Sequence, residues 1–180
     1  MSKFNLNKMY EVMSALQKEI RRGNEENALY WALELEEFNS TLLWNRLKVI
    51  SSEDIGIAQS FISILIETLH RQYLDFKKKD ESKLFLAHAI LALCRSPKNR
   101  IVDEFLTVII GERKEGKKIE VEDYALDKHT ARGRAMGRGM KHFLEEGAKL
   151  VNESQEVENP YKERAKELWL EKDKKRTNSN

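Results

Sequence analysis

A chain of 180 residues with 41% hydrophobic and 34% charged residues can bury one real core, and this composition excludes a mostly disordered chain. Thirty-two Lys and Arg nearly cancel thirty Asp and Glu, leaving a net charge of +2, so any basic face must be local. The single cysteine, Cys94, excludes an internal disulfide and a cysteine zinc site. No run of about 18 apolar residues is present, and no N-terminal apolar run leads to a small-residue cleavage site, so the expectation is a cytoplasmic chain with no membrane partner.

Leu6, Met9, Val12, Met13, Leu16 and Ile20 recur at three- and four-residue steps, which predicts a helix over 6–20 that Gly23 and Asn24 stop. A second helix over 25–38 places Ala28, Trp31, Ala32 and Leu35 on one stripe, with Glu34, Glu36 and Glu37 turned away. Asn39 or Ser40 then caps a third, on which Leu43, Leu47 and Ile50 share a face. Ser51 and Ser52 interrupt it, and Glu53 with Asp54 reads as a carboxylate pair complementing the dipole of the next helix. That helix is expected over 58–76, with Ala58, Phe61, Ile62, Leu65, Leu69 and Tyr73 on its buried stripe. After the lysines at 77–79, Ser82 opens an alanine- and leucine-rich helix reaching Cys94, on which His88 reads as a core histidine. Pro97 breaks the chain before a helix over about 99–113. The β-branched run at 107–110 is too short to count as a strand, and the fold class is all-α.

The last third has a different texture. Over 128–144 the sequence KHTARGRAMGRGMKHFL contains no acidic residue. Helices are expected over 143–151 and over 161–175, the second holding Trp169, with a frayed end beyond. The domain reading is a helical body over 1–113 and a basic Gly/Arg segment with C-terminal helices over 114–180, packed on the same domain.

Several ordered blocks carry a family resemblance: SALQK at 14–18, ALYW at 28–31, RLKVI at 46–50 running into SEDIG at 52–56, and LAHAI at 86–90 leading to SPKN at 96–99. Across 10–58 and 84–100 the chain resembles the C-terminal region of the AAA+ ATPases called replication-associated recombination protein A, or maintenance of genome stability protein A, relatives of clamp loaders. The resemblance implies an all-helical collar-like domain that holds subunits together, commonly as a tetramer. It implies further a homo-oligomer, an AAA+ ATPase partner, and a place in DNA replication or recombination. No ATPase module accompanies these blocks, and the family's usual ending is not matched after about Leu106.

The chemistry-bearing candidates are few. GERKEGK at 111–117 nearly matches a phosphate loop, but Lys118 stands where a magnesium-binding hydroxyl belongs, and no strand precedes it. No cofactor and no ATPase activity of the chain alone are therefore expected. In the basic segment, Lys128, His129, Arg132, Arg134, Arg138 and Lys141 form a candidate phosphate or nucleic-acid clamp, since glycines let backbone approach an anion and arginines bind phosphate in bidentate fashion. The competing reading has Gly133, Gly137 and Gly139 permitting turns or close packing, and the arginines paired with Asp123, Asp127 and Glu145. Asp127 and His129 also suggest an acid–histidine pair for an enzyme, although no serine or cysteine at a strained turn completes a hydrolase set. Trp31, Trp44 and His70 read as packing or surface, and His88 has no second Cys or His at metal-ligand spacing.

Overall fold

The computed structural model describes residues 6–77 and 79–177, and all of its regular elements are helical. The helices are α1 Leu6–Arg22, α2 Glu25–Ile50, α3 Ile62–Asp75, α4 Ser82–Arg95, α5 Ile101–Lys114, α6 Ala131–Ala135, α7 Met140–His142 and α8 Lys162–Thr177. Between α2 and α3 a π-helical turn, Ser51–Ile55, leads into a 3₁₀ turn, Gly56–Gln59. A second 3₁₀ turn covers Asp123–Ala125, and a second π turn, Phe143–Gly147, follows α7. Two compact units result, one ending at Lys117 and one starting at Lys118.

The first unit is built around one apolar cluster. Leu16 and Ile20 of α1, Leu35, Leu43, Trp44 and Leu47 of α2, Ile66 of α3 and Leu86 of α4 are fully buried in it. Each such side chain contributes roughly 1.5–3 kcal/mol relative to exposure. The indole of Trp44 is stacked on His70 at 4.9 Å between ring centroids and tilted against Tyr73 at 5.2 Å. Burial pushes the His70 imidazole below its usual range, and burial with a hydrogen bond to Glu36 pushes the Tyr73 phenol up to about 12.

The sequence-predicted break inside α2 is present. Asn39 leaves helical geometry at φ −162° and ψ 98°, and its Oδ1 accepts a hydrogen bond from the N–H of Leu42 at 2.9 Å, as an N-cap does. Four expectations need correction, the fourth at the junction after α2. Ala58 and Phe61 are not on a buried stripe: the 3₁₀ turn rotates them outward, α3 begins only at Ile62, and Phe61 is 76% exposed. His88 is exposed, because Leu86, Ala89 and Ile90 take the core face of α4. Residues 148–151 are not helical, since the π turn ends the segment at Gly147.

Glu53 and Asp54 do not cap a helix. The π turn directs Asp54 inward, where its carboxylate is buried and accepts from Arg21 Nε at 2.6 Å and from Gln17 Nε2 at 3.0 Å. Arg21 also bonds Glu53 at 2.7 Å, and Arg100 stands 3.7 Å from Glu53 and 3.8 Å from Asp54. The Asp54 carbonyl accepts from the N–H of Asn99 at 2.8 Å, and Asn99 in turn accepts from the N–H of Ile101 at the start of α5. Gly56, at φ +50°, completes the junction: a Cβ there would lie 2.7 Å from Cγ2 of Val102. The SEDIG block is thus the joint that seats the first turn of α5 on the core.

Candidate functional site

In the second unit the basic segment wraps around Asp127, which is 8% exposed. Its carboxylate accepts from the backbone N–H of His129 at 2.8 Å and stands 2.9 Å from His129 Nδ1. These hydrogen bonds hold the Asp127 carboxyl below the usual carboxylate range. The imidazole meets Phe143 edge-on at 4.9 Å and keeps 59% of its side chain exposed. Thr130 accepts from the N–H of Gly133 at 2.9 Å and so caps α6, and its hydroxyl donates to the Asp127 carbonyl. Gly133 is required by packing, because a Cβ there would sit 2.0 Å from that carbonyl oxygen.

The six sequence-selected residues differ in contacts and in exposure. Arg138 faces inward and donates to the carbonyls of Asp123 at 2.7 Å and Leu126 at 2.9 Å, and its hydrogen bond to the Asp123 carboxylate holds that group below its usual range. Lys128 lies 3.8 Å from Asp173, and Lys141 lies 3.9 Å from Glu145. His129, Arg132, Arg134 and Lys141 stand exposed, with Arg134 also donating to the Lys128 carbonyl at 3.1 Å. The GERKEGK segment lies at the C-terminal end of α5: the N–H groups of Glu115, Gly116 and Lys117 bond to the carbonyls of Gly111, Arg113 and Glu112. They close the helix end rather than cradle an anion. Among the described residues no group of three or more His, Cys, Asp or Glu side chains is placed to hold a metal ion, and no described helix is long and apolar enough to cross a membrane.

A second surface was not identified from sequence. α5 has no buried residue. Ile101, Phe105, Leu106, Val108, Ile109 and Ile110 are all exposed, Phe105 by 66%. The helix packs on the π turn and the 3₁₀ turn, with Val102 and Leu106 facing a groove of about 400 Å³ whose other walls are Lys48, Val49, Ser52, Glu53 and Asp103. Ile57, on the 3₁₀ turn, and Phe61, just after it, are 67% and 76% exposed. The available signal was the width of the apolar arc: at 100° per residue these positions cover more than half of the helix circumference, more than packing on one side uses.

These features define an all-helical chain whose polar clusters brace its turns and whose α5 keeps an exposed apolar face. A family model described as MgsA AAA+ ATPase C terminal matches residues 23–178, and the chain belongs to that family. It is 30% identical over 136 residues to replication-associated recombination protein A of Bacillus subtilis (strain 168), an alignment covering 74% of this chain and 32% of the relative. The chain thus spans about a third of the length of that curated relative.

Proposed function

We propose that these residues form a non-catalytic self-association module, serving a replication-associated recombination ATPase of the kind named by the relative. The exposed apolar face of α5 supports this most directly. Monomers rarely keep contiguous apolar patches beyond about 300–600 Å² in water, and covering such a face yields roughly 25 cal/mol per Å² removed from solvent. Repeated copies are the simplest cover for a domain of an oligomerising machine. Light scattering at tens of micromolar should give a multiple of 21.1 kDa, and a steady 21.1 kDa would overturn the reading.

A second activity rests on the exposed set His129, Arg132 and Arg134. It is phosphate-backbone contact with nucleic acid, independent of base sequence. Each neutralised phosphate of duplex DNA lowers the logarithm of affinity by about 0.9 per decade of salt. Replacing Arg132 and Arg134 by Ala should therefore flatten the slope by about two, whereas absence of DNA binding at low salt removes this activity from the chain.

A further inference from the structure

We infer that α8 is an intramolecular competitor for nucleic-acid phosphate: Asp173 occupies two donors of the basic segment, and phosphates must displace it to reach them. The inference rests on the phosphate-contact reading and names the regulation of that surface.

The donors converge on one carboxylate. The N–H of Met140 donates to Asp173 Oδ2 at 2.7 Å, and Lys128 Nζ stands 3.8 Å from the other oxygen, Oδ1. Both donors lie in the run 128–144, which holds no acid of its own, and the carboxylate reaches it from 33 residues beyond Met140. Gly139 leaves room for it: a Cβ there would come 2.9 Å from Oδ2. The φ of Gly139 is −99°, a value open to any residue, so glycine serves the approach of the carboxylate here and not a turn.

The arrangement is one that phosphate can take over. A carboxylate and a phosphodiester are both oxyanions, and both accept charge-assisted hydrogen bonds from an ammonium and from backbone N–H groups. The Lys128 contact is too long for a hydrogen bond, so a phosphate at contact distance gains more from that ammonium than Asp173 does. Little else holds the helix down. Between Lys162 and Lys175 no residue of α8 is buried, although the helix packs on α7, and a helix of 16 residues is close to marginal in isolation. Loss of the Asp173 contact therefore releases Lys128 and loosens the helix together.

Binding of a duplex DNA oligonucleotide to the full chain is to be measured across a salt series for wild type, Asp173→Asn and Gly139→Ala, with melting curves to confirm that each variant folds. Asp173→Asn removes the competing charge. Gly139→Ala keeps every charge and pushes the carboxylate aside, and its clash falls on the end of a side chain, so the backbone is kept. Both should bind about threefold tighter than wild type, or more, at low salt. Both should also steepen the salt dependence by about 0.9, the share of one added phosphate on Lys128, and Lys128→Ala in either background should abolish that gain. In wild type, saturating DNA should speed amide exchange over residues 164–173, a readout that needs no substitution. Tighter binding by Asp173→Asn alone would reflect net charge only and, like tighter binding by neither variant, would overturn the competition. Unchanged or raised protection of α8 in the wild-type complex would overturn it as well. No DNA binding by any of the three at low salt would instead overturn the phosphate-contact reading itself.

Discussion

The two units are held together by different physics. Up to Lys117 the structure is organised by one apolar cluster that includes fully buried Trp44, Leu16 and Leu35, with charged groups gathered at the Asp54 joint, at half-buried Lys98 on the carbonyls of Leu93, Cys94 and Ser96, and on the surface. From Lys118 onward the buried hydrophobic residues are Leu126 and Met140, and the remaining order comes from Arg138 on two carbonyls, Asp127 on His129, and Asp173 accepting from the N–H of Met140 at 2.7 Å. Hydrophobic burial is non-directional and accumulates with area, whereas each of these polar contacts depends on one geometry. The first unit should therefore tolerate surface change and fail by cavity formation, and the second should fail wherever one contact is displaced.

The largest effect should come from Trp44→Ala, which empties the centre of the first unit. About 3–5 kcal/mol of stability is expected to be lost in urea unfolding, since the side chain is fully buried against His70 and Tyr73. Gly133→Ala comes next. The new Cβ collides with backbone, not with a flexible side-chain end, so a loss of about 2–3 kcal/mol is expected. Hydrogen exchange should localise it to the second unit, leaving protection of α1 to α4 unchanged. Arg138→Ala should follow at about 1.5 kcal/mol, from a charged donor removed from two carbonyls, and the Asp123 carboxyl should return toward its ordinary range in an NMR titration.

Acid should separate the units with smaller effects. His70 is held below its ordinary 6.5, so the unfolded chain binds this proton first, and the first unit should begin to lose stability as pH falls below about 6.5. Asp123 and Asp127 are held below their ordinary 3.8, so their contribution is present at neutral pH and is lost only as pH falls below about 4. Amide exchange measured across that range should show protection declining earlier around Trp44 than around Asp127. A reversed order would contradict the reading that partial burial against Trp44 holds His70 below its ordinary range.

Much of the first unit was legible because helical periodicity is a local signal. Met9, Leu16 and Ile20 follow from spacing and the cap at Asn39 from cap chemistry, whereas α4 begins at Ser82 without a side-chain cap hydrogen bond, its N-cap position being Glu81. Two features were not legible, because both depend on non-helical turns. The π turn at Ser51–Ile55 points Asp54 inward, where the sequence reads a carboxylate complementing the next helix, and the 3₁₀ turn after it points Ala58 and Phe61 outward, where the sequence reads the start of that helix's buried stripe. In the basic segment, residue types identified the candidates, but separating Arg138 from Arg132 and Arg134 required the carbonyls of Asp123 and Leu126, which come from a turn 12 to 15 residues away. The exposure of α5 was hidden for a related reason: an apolar helix reads as core until the packing around it is known.

Amide hydrogen exchange of residues 104–110 as a function of protein concentration tests the central claim most directly. These residues are exposed on a helix seated through its first turns, so in an isolated chain their amides should exchange through easy local opening. If α5 is the self-association surface, their protection should rise with concentration, while that of the core helices α2 and α4 stays constant. Fast exchange of 104–110 at every concentration up to tens of micromolar would contradict the account.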